Sequence, residues 1–159
     1  PLLNMRGEVI GVNAQIKSDS GGSDGVGFAI PSNTVQSIVS QLLETGKVEH
    51  AFLGVGLDAI PATVADELGS VEGVAVTEVR DGSPAARAGL RQATGSRSVD
   101  GQEYPTGGDV ITAVDGDRVR DEDDLQRKID AKKPGDTIEL TYWRDGTTHA
   151  VEIKLAKRQ

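Results

Sequence analysis

One hexapeptide constrains this chain more than any other stretch: Phe52-Leu53-Gly54-Val55-Gly56-Leu57. A bulky aromatic leads into an apolar–Gly–apolar turn, and an apolar strand begins at once. Lacking a Cβ, the glycines let the backbone turn tightly and expose its N–H groups. Successive inward-pointing N–H groups form a cradle for a carboxylate. The strand that follows offers an edge, and capture of a C-terminal carboxylate while an extended peptide adds as a strand is one mode of peptide recognition. The same six residues also read as an ordinary buried strand with two packing glycines.

The pattern around this stretch predicts short strands, turns and a few helices. Residues 8–16 and 26–30 read as strands separated by a Ser/Gly/Asp loop, Lys17 to Gly25. Ser32 or Asn33 can cap a helix carrying Val35, Ile38, Val39, Leu42 and Leu43, with Gly46 as its terminator. Residues 47–50 read as a linker. Beyond them come a strand over 52–58, a short helix near 62–68, a strand over 73–79 and a helical turn that starts at Ser83-Pro84 and ends at Gly89. Residues 91–108, rich in Gly, Ser and Thr, read as an excursion longer than most loops. A strand over 110–114 runs into the tight turn Asp115-Gly116. Asp121 caps a helix of about 122–132, and a hairpin turns at Asp145-Gly146.

The order Phe52–Leu57, Ser83-Pro84-Ala85, Gly89-Leu90, Gly107-Gly108-Asp109-Val110-Ile111 and Asp115-Gly116 resembles a PDZ domain of HtrA-type (Deg-type) serine proteases. The resemblance implies that Phe52, Leu53, Gly54, Val55 and Gly56 form the carboxylate-binding loop. It implies that Leu57 and Asp58 begin the strand to which peptide adds, and that the helix from 122 walls the groove. Leu125 and Ile129 stand four apart and share one helix face, for groove or for core alike, and Gln126 is placed on the rim. Phe52 either shapes the pocket for the last side chain or packs beneath the loop. The mostly apolar pocket points to a C-terminal Val, Leu, Ile, Ala or Phe. In that family the segment after Gly89-Leu90 runs almost directly into Gly-Asp-Val-Ile, whereas here residues 91–108 intervene, either to regulate the groove, to contact the protease domain or, the role expected, as neutral decoration.

Residues 1–50 resemble a different part of the same family. Pro1-Leu2-Leu3-Asn4 followed by Gly7-Glu8-Val9-Ile10-Gly11-Val12-Asn13 looks like the segment just after the catalytic serine of a trypsin-like HtrA protease, and Gly27-Phe28-Ala29-Ile30-Pro31 like its last barrel strand. By that resemblance the nucleophile and its histidine and aspartate lie upstream of Pro1. Phe28, Ala29 and Ile30 are then a remnant of the substrate pocket, or cover for the barrel core. The fold class expected is mixed and mostly β: a PDZ domain (a small β-barrel or sandwich with two helices) over 48–159, preceded over 1–47 by the truncated last strands and C-terminal helix of a trypsin-like barrel.

Charge and composition exclude several classes. The formal charge is −8, with 25 acidic and 17 basic residues, against nucleic acid and anionic membrane surfaces, which favour Lys/Arg patches. No cysteine is present, so disulfides, thiolate zinc sites and cysteine nucleophiles are ruled out. No apolar run approaches the roughly 20 residues of a membrane helix. His50 and His149, the two histidines, lack the context of a catalytic base. Asp115, Asp117 and Asp121–Asp124 lack the spacing of a calcium loop and suit a helix start better. No catalytic residue, metal or cofactor is expected in the chain.

The function expected is therefore a peptide-binding module of an HtrA-type serine endopeptidase in protein quality control, recognising C-termini or exposed hydrophobic segments of misfolded proteins. The resemblance also implies an extracytoplasmic location, a possible membrane anchor upstream, and a homotrimeric parent. Two other readings stand beside it: a non-enzymatic PDZ-type adaptor, and a fragment that self-associates by exchanging the strands of residues 1–50.

Overall fold

The computed structural model describes residues 1–16 and 27–158, and the expected loop at Lys17–Gly25 lies outside them. The chain forms two compact units, Pro1–Val48 and Glu49–Gln159.

In the first unit, β1 (Leu2–Leu3), β2 (Val9–Ile16) and β3 (Gly27–Pro31) make an open antiparallel sheet in the order β1-β2-β3, followed by α1 (Ser32–Thr45). The capping expectation needs correction. Pro31 holds the N-cap position and makes no side-chain cap bond, so Ser32 is already inside the helix. Proline fixes its own φ at a value that suits the entry, and the turn forms without a capping hydroxyl. Gly46 ends the helix as expected, at φ 69°, with its N–H on the Leu42 carbonyl. Many large apolar side chains of this unit stay exposed, among them Leu2, Leu3, Phe28, Ile30 and Leu43.

The second unit is built on a six-stranded antiparallel sheet. Its elements are β4 (Ala51–Phe52), β5 (Val55–Ile60), α2 (Ala62–Leu68), β6 (Gly73–Val79), α3 (Pro84–Arg87), β7 (Gly95–Val99), β8 (Gln102–Thr106), β9 (Val110–Val114), β10 (Asp117–Arg118), α4 (Glu122–Asp130), β11 (Thr137–Arg144), β12 (Thr147–Lys154) and β13 (Ala156–Lys157). The strand order is β12-β11-β9-β6-β5, with β10 on β9, and β5 lies at the end. The mostly β expectation holds, as open sheets and not a closed barrel among the described residues.

Period-two alternation divides the core between the two faces of the sheet. Val74, Val76, Ile111, Leu140 and Ile138 pack with Leu125 and Ile129 of α4 on one face. Their neighbours Ala75 and Val110 turn to the other, where Ile60, Val64 and Ala65 join Val99 and Tyr104.

That second cluster corrects the reading of residues 91–108 as one long loop. They carry a hairpin, β7 paired with β8, whose turn Asp100-Gly101 has φ of 51° and 81°. Positive φ at both positions is the demand of a two-residue hairpin turn, met by Asp-Gly. Val99 and Tyr104 are buried, and Arg97 Nη1 donates to the Glu67 carbonyl of α2 at 2.7 Å. The hairpin helps cover the sheet face opposite α4.

A second correction falls at 52–58, expected as one strand. The ladder breaks at Leu53-Gly54, leaving β4 paired with β13, while Val55 and Gly56 already pair with Val79 and Glu78. The turn is thus shorter than the expected loop, and three of its five expected members belong to strands, Phe52 to β4 and Val55 and Gly56 to β5. Helix α4 begins after Asp121, whose Oδ1 accepts from the Asp124 N–H at 2.7 Å, and ends at Asp130, two residues short of the expectation. The helix closes with the Ala131 N–H on the Arg127 carbonyl and the Lys132 N–H on the Ile129 carbonyl.

Candidate functional site

Two backbone bonds set the orientation of the turn at Leu53-Gly54. The Leu53 carbonyl accepts from the Ala85 N–H and the Gly54 carbonyl from the Arg80 N–H, both at 3.0 Å. The peptide unit is planar and trans, so each N–H points opposite to the carbonyl of its own unit. The N–H groups of Gly54 and Val55 therefore face away from the 80–85 segment. Ser83 keeps that segment in place: it caps α3 by accepting from the Ala86 N–H at 3.1 Å, with Pro84 at the first helical position.

Gly54 is the only residue type that fits here. Its φ is +87°, and a Cβ built on it would lie 2.3 Å from the Cβ of Ser83. Gly56 has ordinary φ, but a Cβ there would meet Glu78 Cβ and Thr77 Oγ1 at 2.9 Å. One glycine is required by conformation and contact, the other by contact alone.

Beside the turn lies an open cavity of about 160 Å³, lined by Phe52, Leu53, Gly54, Val55, Leu57, Leu125, Gln126 and Ile129 with Arg80 and Arg158. Eight of the nine residues expected for loop and groove thus meet in one hollow. Gly56 lies instead in an adjoining one, of about 250 Å³, with Phe52, Gly54, Val55, Glu78 and Arg80. Leu53, Leu125 and Ile129 are buried floor, Phe52 and Leu57 are half-buried walls, and Gln126 is exposed at the rim. Leu125 and Ile129 serve both cavity and core.

The flanking charges were not anticipated. The Arg80 guanidinium lies 5.3 Å from the centre of the Phe52 ring, in cation–π range. Arg158 is brought in when its N–H donates to the His50 carbonyl at 3.0 Å. Two cations, Arg80 and Arg158, therefore line the same cavity as Gly54 and Val55. Further along β5, beyond the cavity lining, the surroundings are acidic. Glu122, the first residue of α4, accepts from the Ala59 N–H through Oε1 at 2.8 Å. Asp58 is raised from its ordinary pKa, first by burial and then by the charge of Glu122.

In the first unit, Phe28 and Ala29 border a hollow of about 500 Å³ with Leu2, Asn13, Ala14, Gln15 and Gly27. Ile30 is exposed and does not border it. The His149 ring stacks on Tyr142 with 5.4 Å between centres, and His50 is exposed. Among the described residues there is no group of three or more His, Cys, Asp or Glu able to hold a metal ion.

Residues 32–155 match the family model described as PDZ domain. The chain is 36% identical over 157 residues to a probable periplasmic serine endoprotease, DegP-like, of Rhizobium meliloti strain 1021, covering 98% of this chain and 28% of that protein. It is 39% identical over 158 residues to the protein of the same description in Brucella suis biovar 1, with the same two coverages. Among solved structures, the HtrA-type protease AlgW with decapeptide is similar at a TM-score of 0.70 and 32% identity, over 96% of this chain and 43% of that one. The chain thus spans less than a third of the length of these two relatives.

Proposed function

The chain belongs to the PDZ domain family, and on that premise we propose that its second unit binds the free C-termini of peptides, or exposed hydrophobic segments of unfolded proteins, within a longer HtrA-type serine endopeptidase. The observation that carries this reading is the pair of N–H groups of Gly54 and Val55, turned away from the 80–85 segment beside a cavity lined by Leu57, Leu125 and Ile129, at an open strand edge. They are the donors for the terminal carboxylate, and Arg80 and Arg158 add attraction for an anion. Phe52, Leu53 and Gly56 shape the loop. Leu57, Leu125, Gln126 and Ile129 receive the terminal side chain, and Val55 and Leu57 pair with the peptide backbone.

The reading extends to the whole protein. Residues 1–47 are the end of the protease domain and 48–159 the PDZ domain, with Phe28, Ala29 and Ile30 belonging to the substrate pocket. The catalytic serine, histidine and aspartate lie upstream, so this chain alone does not cleave peptides. Its relatives are described as periplasmic, which supports an extracytoplasmic place in protein quality control. The exposed apolar side chains of the first unit support a face covered by the rest of the protease domain, or by a second copy when the chain stands alone. Light scattering tests the latter.

The central test is calorimetry with a pentapeptide ending in Val, as free acid and as C-terminal amide. The acid should bind more tightly by roughly 1.5–3 kcal/mol, the range of charge-assisted hydrogen bonds. Equal affinities would remove carboxylate capture.

A further inference from the structure

The acidic end of the groove limits what the open edge can accept, an inference that rests on the peptide-binding reading above. β5 lies at the end of its sheet, and along an antiparallel strand the backbone groups of alternate residues face the same side. The Ala59 N–H points away from β6, because Glu122 of α4 accepts it. Val55 and Leu57 share its alternation, so they offer their backbone groups on that same side. The register irregularity of the β5–β6 pair does not disturb this, since the extra residue, Thr77, is on β6.

A peptide entering antiparallel to β5, with its carboxylate at Gly54 and Val55, would pair its last residue beside Val55. Its third residue from the end would lie beside Leu57, and its fifth beside Ala59. The last of these places is already occupied. Glu122 is half-buried and fixed by its own helix, whose start is capped by Asp121. It holds this position even though its charge raises the pKa of Asp58. The bond to Ala59 spans 63 residues of sequence, so it is a tertiary contact and no feature of helix capping.

We infer that Glu122 is a built-in stop on the edge strand. It closes β5 at Ala59 and confines main-chain pairing to the last three or four residues of a bound peptide. Residues further from the C-terminus leave the edge and add little affinity, so the module reads a short terminal signature and stays indifferent to what precedes it.

The test uses alanine-based peptides of three and six residues, acetylated at the start and ending in a free Val, titrated by calorimetry. The intact chain should bind both within about a factor of two. Glu122→Ala should open the Ala59 N–H and bind the six-residue peptide roughly tenfold better than the three-residue one. Glu122→Gln keeps an acceptor oxygen and should behave as the unsubstituted chain does. Hydrogen exchange at the Ala59 amide gives a readout without peptide: slow in the unsubstituted chain and in Glu122→Gln, fast in Glu122→Ala. A tenfold advantage of the longer peptide in the unsubstituted chain overturns the inference. So does an unchanged ratio or unchanged Ala59 exchange in a folded Glu122→Ala. Failure of both peptides to bind would sink the peptide-binding reading itself, whereas binding with the wrong length dependence sinks only the stop.

Discussion

Arg144 holds the carboxylate of Asp109 with two bonds, Nε to Oδ1 at 2.6 Å and Nη2 to Oδ2 at 2.7 Å. Asp109 is fully buried, and its Oδ2 also accepts from the Arg91 N–H at 2.8 Å. Its backbone exchanges bonds with Arg91 and Val76, and Arg144 Nη2 also reaches the Gly89 carbonyl at 2.8 Å. One ion pair therefore ties the segment after α3 to β6, β9 and β11. The asymmetry of burial decides the consequence of breaking it. Arg144→Ala leaves a carboxylate in the core without its cation and should cost about 3–5 kcal/mol in urea unfolding. Adding Asp109→Asn to that variant should recover part of the loss, because the stranded charge is gone.

Gly54→Ala tests the turn directly. The new Cβ would overlap Ser83 and sit at a φ that L-residues avoid. Strain of about 1–2 kcal/mol from the left-handed backbone adds to about 1–3 kcal/mol from overpacking. Relief would require the turn to move away from Ala85 and Arg80, spoiling the aim of the two N–H groups. Thermal melting should drop, and affinity for a peptide with a free C-terminus should fall by tenfold or more.

The hairpin of residues 95–106 should prove structural. Tyr104→Ala removes a buried ring from the cluster formed with Val99, Ile60 and Val64. The expected cost is about 3–5 kcal/mol, as for other large aromatics. Trp143, the one tryptophan, packs against the same cluster, so its fluorescence should report the loosening. Since the hairpin covers the face opposite α4, peptide affinity measured well below the melting temperature should stay within about twofold. A large affinity loss in a folded Tyr104→Ala would instead link the hairpin to the groove.

Acid should weaken the chain in part through Asp115. Its pKa is lowered, first by the hydrogen bond from Lys132 at 2.6 Å, then by the Glu139 N–H at 2.8 Å. A depressed folded pKa means the unfolded chain binds a proton more readily. The stabilisation is complete above the unfolded value, near 3.9, and is lost as pH falls through the lower folded value. Asp115 is partly exposed, so the effect is small. Asn tolerates the left-handed φ of 51° at this position. Asp115→Asn should flatten the stability–pH curve below pH about 4 without misfolding the turn, as read by denaturation at stepped pH.

How far these features were visible in the sequence depends on their range. The Asp115-Gly116 and Asp145-Gly146 turns declare themselves in two residues, and both have the positive φ pair expected of them. Asp100-Gly101 is the same signal and was equally available. Its flanks hid it, because Arg97, Ser98 and Glu103 are polar, and only Val99 and Tyr104 turn inward. Leu125 and Ile129 could be placed on one face by spacing alone. The ladder break at Leu53-Gly54 was legible as a turn, but its length depends on which residues Val79 and Glu78 select as partners. Contacts such as Arg144–Asp109 and Glu122–Ala59 link residues 35 and 63 apart. No local pattern encodes them, since the sheet order alone brings those positions together.

Ile129 decides whether the cavity sets specificity or merely exposes the edge of the core. It is 5% exposed and packs with Leu125, Val76 and Leu53, yet it also borders the hollow beneath the turn. Ile129→Val removes one methylene and should cost about 0.5–1.5 kcal/mol, small enough to keep the fold. The space it vacates adjoins the cavity, so a larger terminal side chain should fill it. Profiled against peptides varied only at the last residue, the variant should shift its preference from Val toward Leu or Phe. Main-chain pairing along β5 is nearly blind to side chains, so overall affinity for peptides ending in Val should change little. An unchanged ranking in the folded variant would assign Ile129 to the core alone and move the specificity pocket toward Phe52 and Leu57.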